Sequence, residues 1–238
     1  MSEEQLLLLA TTAVLAITHT ILGPDHYIPF IAISKARNWS NIKTLIITIF
    51  CGFGHILSSI LIALAGVALG IAVTSLQFIE DVRGDIAGWL LIVFGLFYFL
   101  WGIKKSFKFK PHSHIHSHFD GGLFEHEHTH THESEHTHLH TSEKKNITPW
   151  VLFIIFVFGP CEPLIPLLIY PAYRQNYFDV FLISLVFGSV TILTMVIITF
   201  MGLFGIKLIP LNKLERHIHA LAGMTILICG IMVKILGL

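Results

Sequence analysis

The sequence predicts an all-α integral membrane protein: six transmembrane helices arranged as two inverted three-helix repeats, with the first and fourth helices broken. Three observations predict it. The chain is 54% hydrophobic and only 13% charged, with a mean hydropathy of +0.74, more apolar residue than a soluble domain of this size needs. Its apolar residues gather into six segments, each long enough for the roughly 20 residues of helix that cross a bilayer core. Two Gly-Pro pairs, Gly23-Pro24 and Gly159-Pro160, interrupt corresponding segments in the two halves of the chain.

The segments are about residues 5–34, 41–73, 84–103, 149–173, 177–207 and 217–236. The first follows Glu3 and Glu4 rather than a basic region and continues as a full span, so it does not read as a cleavable signal peptide. It carries Pro29 after its Gly-Pro pair, and the fourth carries Pro163, Pro166 and Pro171 after its own. Proline removes an amide donor and breaks the helix, and unwound backbone at membrane depth persists only where protein or a cavity lines it. The division that follows is residues 1–104 as a first three-helix repeat, 105–148 as a His-rich disordered loop, and 149–238 as a second repeat. The three cysteines, Cys51, Cys161 and Cys229, all fall in apolar stretches, so no disulfide framework is expected.

Lysine and arginine set the orientation. With six spans, one side receives Lys35, Arg37, Lys43, Lys104, Lys105, Lys108, Lys110, Lys144, Lys145, Lys207, Lys213 and Arg216, and the other only Arg83, Arg174 and Lys234. That asymmetry places the loop in the cytoplasm and both termini outside, in a plasma membrane of the bacterial inner-membrane type. The zero formal net charge argues nothing about nucleic acid or acidic partners; the partners expected are the lipid bilayer and a metal ion, no nucleic acid, with a homo-oligomer allowed.

The repeat shows as an offset of 136 residues between Gly23-Pro24-Asp25-His26 and Gly159-Pro160-Cys161-Glu162. At that offset Gly52 meets Gly188, His55 meets Thr191 and Gly66 meets Gly202; with one residue deleted, Ala87-Gly88 meets Ala222-Gly223, Gly95 meets Gly230 and Gly102 meets Gly237. Each repeat has an odd number of spans, so the second lies inverted. Inverted repeats with matching broken helices place a binding site where the breaks meet, near the bilayer midplane.

Two sets of residues carry chemistry. The loop holds eleven of the sixteen histidines, mostly at alternate positions: His112, His114, His116, His118, His126, His128, His130, His132, His136, His138 and His140. Neutral imidazole is the commonest side-chain ligand for zinc, nickel and cobalt, and a polar run without an apolar face cannot bury a core. The second set lies within the apolar segments: His19, Asp25 and His26 in the first, His55 in the second, Cys161 and Glu162 in the fourth. An ionisable side chain costs on the order of 3 kcal/mol at the centre of a span and persists mostly where it binds something. Together these make a nitrogen, oxygen and sulfur ligand set for a divalent transition metal. His19 and His26, seven apart, share one ion only if the Gly23-Pro24 region is unwound. Other roles stay open: His55 as a hydrogen-bonded core histidine, Cys161 as a packing residue, Glu162 as a proton carrier. His217 and His219, beside Glu215 and Arg216, read as interfacial.

On His19…Pro24-Asp25-His26, Gly52-Phe53-Gly54-His55 and the His-rich loop, the chain resembles the nickel/cobalt transporter superfamily, in its six-span efflux and urease-accessory branches. The resemblance implies membrane transport of a divalent transition metal, with His19, Asp25 and His26 at the metal site. Five residues separate His19 from Asp25, where the uptake permeases have four, which favours the efflux branch. Gly159-Pro160-Cys161…Pro163…Pro166 also looks like the thiol-shuttling membrane proteins of cytochrome c biogenesis. Those need a cysteine in each repeat, because disulfide exchange requires a partner sulfur, and here the mate of Cys161 is Asp25.

The function expected is therefore secondary transport, not an enzymatic reaction: export of nickel, cobalt or zinc, collected by the cytoplasmic loop. The ion itself is the substrate. No Walker motif is present for ATP coupling. The alternatives are a metal-insertion accessory or sensor protein and, behind it, a thiol-redox protein of the cytochrome c biogenesis type.

Overall fold

The computed structural model describes residues 2–108, 112–116, 126–130, 147–208 and 215–236. Its helices are α1 (Glu3–Leu22), α2 (Ile28–Ala36), α3 (Asn41–Ala68), α4 (Val73–Lys108), α5 (Thr148–Phe158), α6 (Leu164–Tyr173), α7 (Tyr177–Lys207) and α8 (Ile218–Leu236), with 3-10 turns at Pro24–His26 and Glu215–His217. One short antiparallel pair, β1 (His112–His116) with β2 (His126–His130), sets His112 opposite His130, His114 opposite His128 and His116 opposite His126. Loop histidines His118, His132, His136, His138 and His140 lie outside the described residues.

The ends of these helices follow local rules. Ser2 opens α1 with a capping box: its Oγ accepts from the Gln5 amide at 3.2 Å and its own amide donates to Gln5 Oε1 at 3.0 Å. Ser40 caps α3 by accepting from the Lys43 amide at 3.2 Å. α1 stops at Gly23, extended at φ −84°, ψ 96°, because the residue before a proline is pushed out of the helical region. The same rule stops α5 at Gly159, at φ −57°, ψ 136°. Both breaks fall where the sequence places them.

Among the described residues five helices, α1, α3, α4, α7 and α8 with its leading 3-10 turn, are long and apolar enough to cross a membrane. Their outward faces are apolar, with Leu7, Phe53, Phe97, Phe181 and Ile235 all largely exposed. Such surfaces demand lipid, and the protein is an integral membrane protein. Two expectations need correction. The fourth expected span, 149–173, is two short helices of 11 and 10 residues, neither of which crosses alone. The third expected span starts too late: α4 begins at Val73 and runs for 36 residues, so Glu80, Asp81 and Arg83 are helical rather than part of a turn between spans.

α4 and α8 pack backbone against backbone. A Cβ on Gly102 would overlap the Ala220 amide, one on Gly95 the Leu227 amide, and one on Gly223 the Phe99 amide, while one on Gly230 would lie 2.9 Å from the Ile92 amide. Residue numbers rise on one helix as they fall on the other, so the two run antiparallel in constant register. Small residues permit this approach, and close packing is what joins helices where no water is squeezed out. The core forms two buried clusters. One contains Phe30, Ile33, Leu152, Phe156, Met195 and Ile226; the other contains Ala16, Leu164, Ile165, Leu168, Ile183 and Phe187. Phe156 from the first and Phe187 from the second flank the group of histidines described next.

Candidate metal centre at the paired helix breaks

The first break brings two histidines of the chain together. His19 sits in the last turn of α1, and the chain then turns through Gly23 and the 3-10 turn to present His26, whose ring centroid is 4.8 Å from that of His19. A straight helix would hold residues seven apart about 10 Å from each other along its axis. His55, buried on α3, completes the group: one ligand atom from each of His19, His26 and His55 falls within 4.8 Å of the other two. Among the described residues, no other three histidine, cysteine or acidic side chains converge in this way.

The hydrogen bonds fix which ring nitrogens face inward. His26 Nδ1 lies 3.0 Å from the Gly23 carbonyl and 3.1 Å from Asp25 Oδ1. Both partners are acceptors, so Nδ1 carries the hydrogen and Nε2 keeps its lone pair. His55 Nδ1 donates to the Phe156 carbonyl at 3.3 Å, an oxygen at the end of α5 that also accepts from the Gly159 amide at 3.0 Å. Its Nε2 therefore also keeps a lone pair. These two Nε2 atoms face each other at 3.4 Å, and the buried His19 Nε2 beside them has no hydrogen-bond partner. In the neutral rings these lone pairs repel unless a proton or a metal ion lies between them. Two imidazoles on a tetrahedral zinc-like ion, at about 2.0–2.1 Å per bond, stand about 3.3 Å apart. The His26–His55 pair already meets that spacing; His19 would close in by a rotation at the end of α1.

Both break glycines make room for these rings. A Cβ on Gly23 would lie 2.5 Å from His26 Nδ1, and one on Gly159 would lie 2.9 Å from His55 Nδ1. A cavity of about 220 Å³ reaches the group from the side of α1, lined by Thr18, His19, Asp25, His26, Pro160 and Glu162. Asp25 acts on His26 as an orienting carboxylate, an arrangement common behind metal-binding imidazoles. Glu162 lines the cavity but stands outside the three-histidine group, as does Cys161, a buried free thiol. The repeat mate of His55, Thr191, is fully buried with an unpartnered hydroxyl.

His217 and His219 lie at the start of α8, one in its leading 3-10 turn and one in its first turn, occupied by other partners: His217 with Ser106 Oγ at 2.9 Å, and His219 with the Tyr98 hydroxyl at 3.0 Å and Lys105 Nζ at 2.8 Å. The sequence reading missed Glu80 and Arg83. Both are buried on α4 and joined as an ion pair. Glu80 Oε2 accepts from the Cys161 amide at 2.8 Å, and Arg83 donates to the Val157 carbonyl at 2.8 Å, the Gly159 carbonyl at 3.1 Å, Ser58 Oγ at 2.7 Å and Ser59 Oγ at 3.1 Å. The available signal was an acid and a base three residues apart beside long apolar runs, which places them on one helix face.

Comparison with known proteins identifies the scaffold. A family model described as cytochrome C biogenesis protein, transmembrane region, matches residues 28–232, more than four fifths of the chain. The match includes His55, Cys161 and Glu162 and begins just after His26. No curated protein and no solved structure matches the chain. This finding overturns the resemblance to the nickel/cobalt transporter superfamily, which rested on short motifs around His19–His26 and His55 and on the His-rich loop. It points toward the thiol-redox alternative and gives no support to metal transport. By the extent of this match, the chain belongs to the cytochrome c biogenesis transmembrane-region family.

Proposed function

We propose that the chain uses this family's membrane scaffold to bind a divalent transition-metal ion at His19, His26 and His55, and to carry it across the bilayer. The observation that carries the reading is the pair of facing Nε2 lone pairs at 3.4 Å, each fixed by a hydrogen bond on the opposite side of its ring. On this reading α5 and α6 together make a sixth, broken span, and the two halves of the chain are inverted repeats. The antiparallel α4–α8 pair and the parallel roles of Gly23 and Gly159 against histidine rings support that arrangement. The loop then lies in the cytoplasm with the excess of lysine and arginine, collecting ions for export. Rocking of one repeat against the other exposes the histidines alternately to each side.

The test is metal binding and transport by full-length protein in which the eleven loop histidines are replaced by serine. The expected result is one Co²⁺ or Zn²⁺ bound per chain and time-dependent uptake into proteoliposomes, both abolished by His26→Ala. Uptake that His26→Ala leaves unchanged sinks the transport reading.

A second reading is favoured by the family match: thiol–disulfide transfer at Cys161, which sits at the second helix break. Its difficulty is chemical. Exchange needs a thiolate and a partner sulfur, whereas Cys161 is buried and the corresponding position of the first break is Asp25. Cys161→Ser discriminates the two readings. It leaves metal binding at the three histidines intact, and it abolishes any thiol-transfer activity.

A further inference from the structure

The buried Glu80–Arg83 pair occupies an unusual place: it satisfies the backbone of the second helix break. Where α5 ends at Phe158, carbonyls of the last turn lose their helical donors, and the first amides of the next segment lose their acceptors. Arg83 donates to the Val157 and Gly159 carbonyls and Glu80 accepts from the Cys161 amide, so one ion pair spans the break from both sides. Ser58 and Ser59 hold the guanidinium from α3, the helix that also carries His55 one turn earlier.

We infer that Glu80 and Arg83 are positioning residues for His55. The Phe156 carbonyl, which fixes the hydrogen on His55 Nδ1, lies one residue before the Val157 carbonyl held by Arg83. Gly159, whose carbonyl Arg83 also holds, packs against the same ring nitrogen. Arg83 thus binds the break on one side and α3 on the other, and sets the gap in which the His55 ring is clamped. A lysine cannot replace it: the planar guanidinium reaches four oxygens besides Glu80 in fixed directions, whereas an ammonium offers three donors from a single point. At the first break the same task falls to Asp25, which orients His26 directly. Both imidazoles that face each other are therefore fixed from behind by buried polar groups, one within its own turn and the other by a partner on α4.

This inference rests on the metal reading, and the experiment separates the two. The full-length protein with its eleven loop histidines replaced by serine is titrated with Co²⁺ in nanodiscs, and affinity and the visible absorption of bound Co²⁺ are recorded. Arg83→Lys is expected to weaken binding about 10- to 100-fold, the range for loss of a group that orients a metal ligand, and to change the absorption toward that of His55→Ala. Ser59→Ala, which removes one acceptor of Arg83 and no charge, is expected to show the same spectral change to a smaller degree. Thermal melting is followed in parallel, because a purely structural role lowers the melting temperature and leaves the spectrum of bound Co²⁺ unchanged. Wild-type affinity and spectrum in a folded Arg83→Lys overturn the inference; if that variant does not fold, a wild-type spectrum in Ser59→Ala and Glu80→Gln overturns it equally. Failure of the parent protein to bind one Co²⁺ through His55 overturns the metal reading itself and this inference with it.

Discussion

Gly159→Ala isolates the geometry of the second break. Its backbone, at φ −57° and ψ 136°, lies in a region that alanine adopts freely, so the substitution adds no backbone strain. What it adds is one methyl group 2.9 Å from His55 Nδ1 and 3.2 Å from the Phe156 carbonyl oxygen. Ordinary contact begins near 3.4 Å, so the ring must retreat by about 0.5 Å. The Nδ1–carbonyl hydrogen bond, already 3.3 Å long, does not survive that retreat. Loss of an orienting partner weakens metal binding about 10- to 100-fold, or about 1.4 to 2.8 kcal/mol at 1.4 kcal/mol per decade. Gly23→Ala is the harsher companion: its methyl would lie 2.5 Å from His26 Nδ1, requiring nearly twice the displacement. Competition titration with a chromophoric zinc chelator measures both, on protein whose loop histidines are serine. If Gly159→Ala binds zinc as tightly as the parent while folding normally, the reading of Gly159 as room for an imidazole is refuted.

Three further outcomes follow from the same geometry. Asp25→Asn keeps an acceptor near His26 Nδ1 but removes its charge, and is expected to weaken Zn²⁺ binding by about one order of magnitude with little change in melting temperature. Gly223→Ala places a methyl on the Phe99 backbone; overpacking of this kind costs about 1–3 kcal/mol, read as a lowered melting temperature in detergent with no direct effect on the three histidines. Because imidazole binds a metal only when the coordinating nitrogen is deprotonated, affinity is expected to fall as pH is lowered. A pH-independent zinc affinity between pH 8 and pH 5 contradicts coordination by three histidines.

The parts of this site that were legible in the sequence are those that break a pattern. Gly-Pro inside an apolar run is such a break, and so are His19, Asp25, His26 and His55 in segments that otherwise exclude ionisable groups. Their convergence followed once the Gly23 break allowed residues seven apart to meet. Glu80 and Arg83 were not legible, because Glu80, Asp81 and Arg83 crowd a short stretch that reads as a polar connection between spans. The helix runs through it since Glu80 and Arg83 find partners on α3 and at the second break, the latter more than seventy residues away. No local pattern encodes a partner at that distance. Family was misjudged for a related reason: short motifs at the site outweighed the pattern of the whole chain, and it is the match over residues 28–232 that decides family.

The close approach of α4 and α8 limits how the molecule can open. With Gly95, Gly102 and Gly223 seating one backbone against the other and Gly230 seated on Ile92 and Leu91, sliding of one helix along the other is opposed by main-chain contact. Translation along that seam would drive methylene groups into main-chain atoms at every step. Tilting about it displaces far less. If the protein opens as the transport proposal requires, this pair would serve as the axle, and separation of the elements remote from it, α1 and α7, would uncover His19 first.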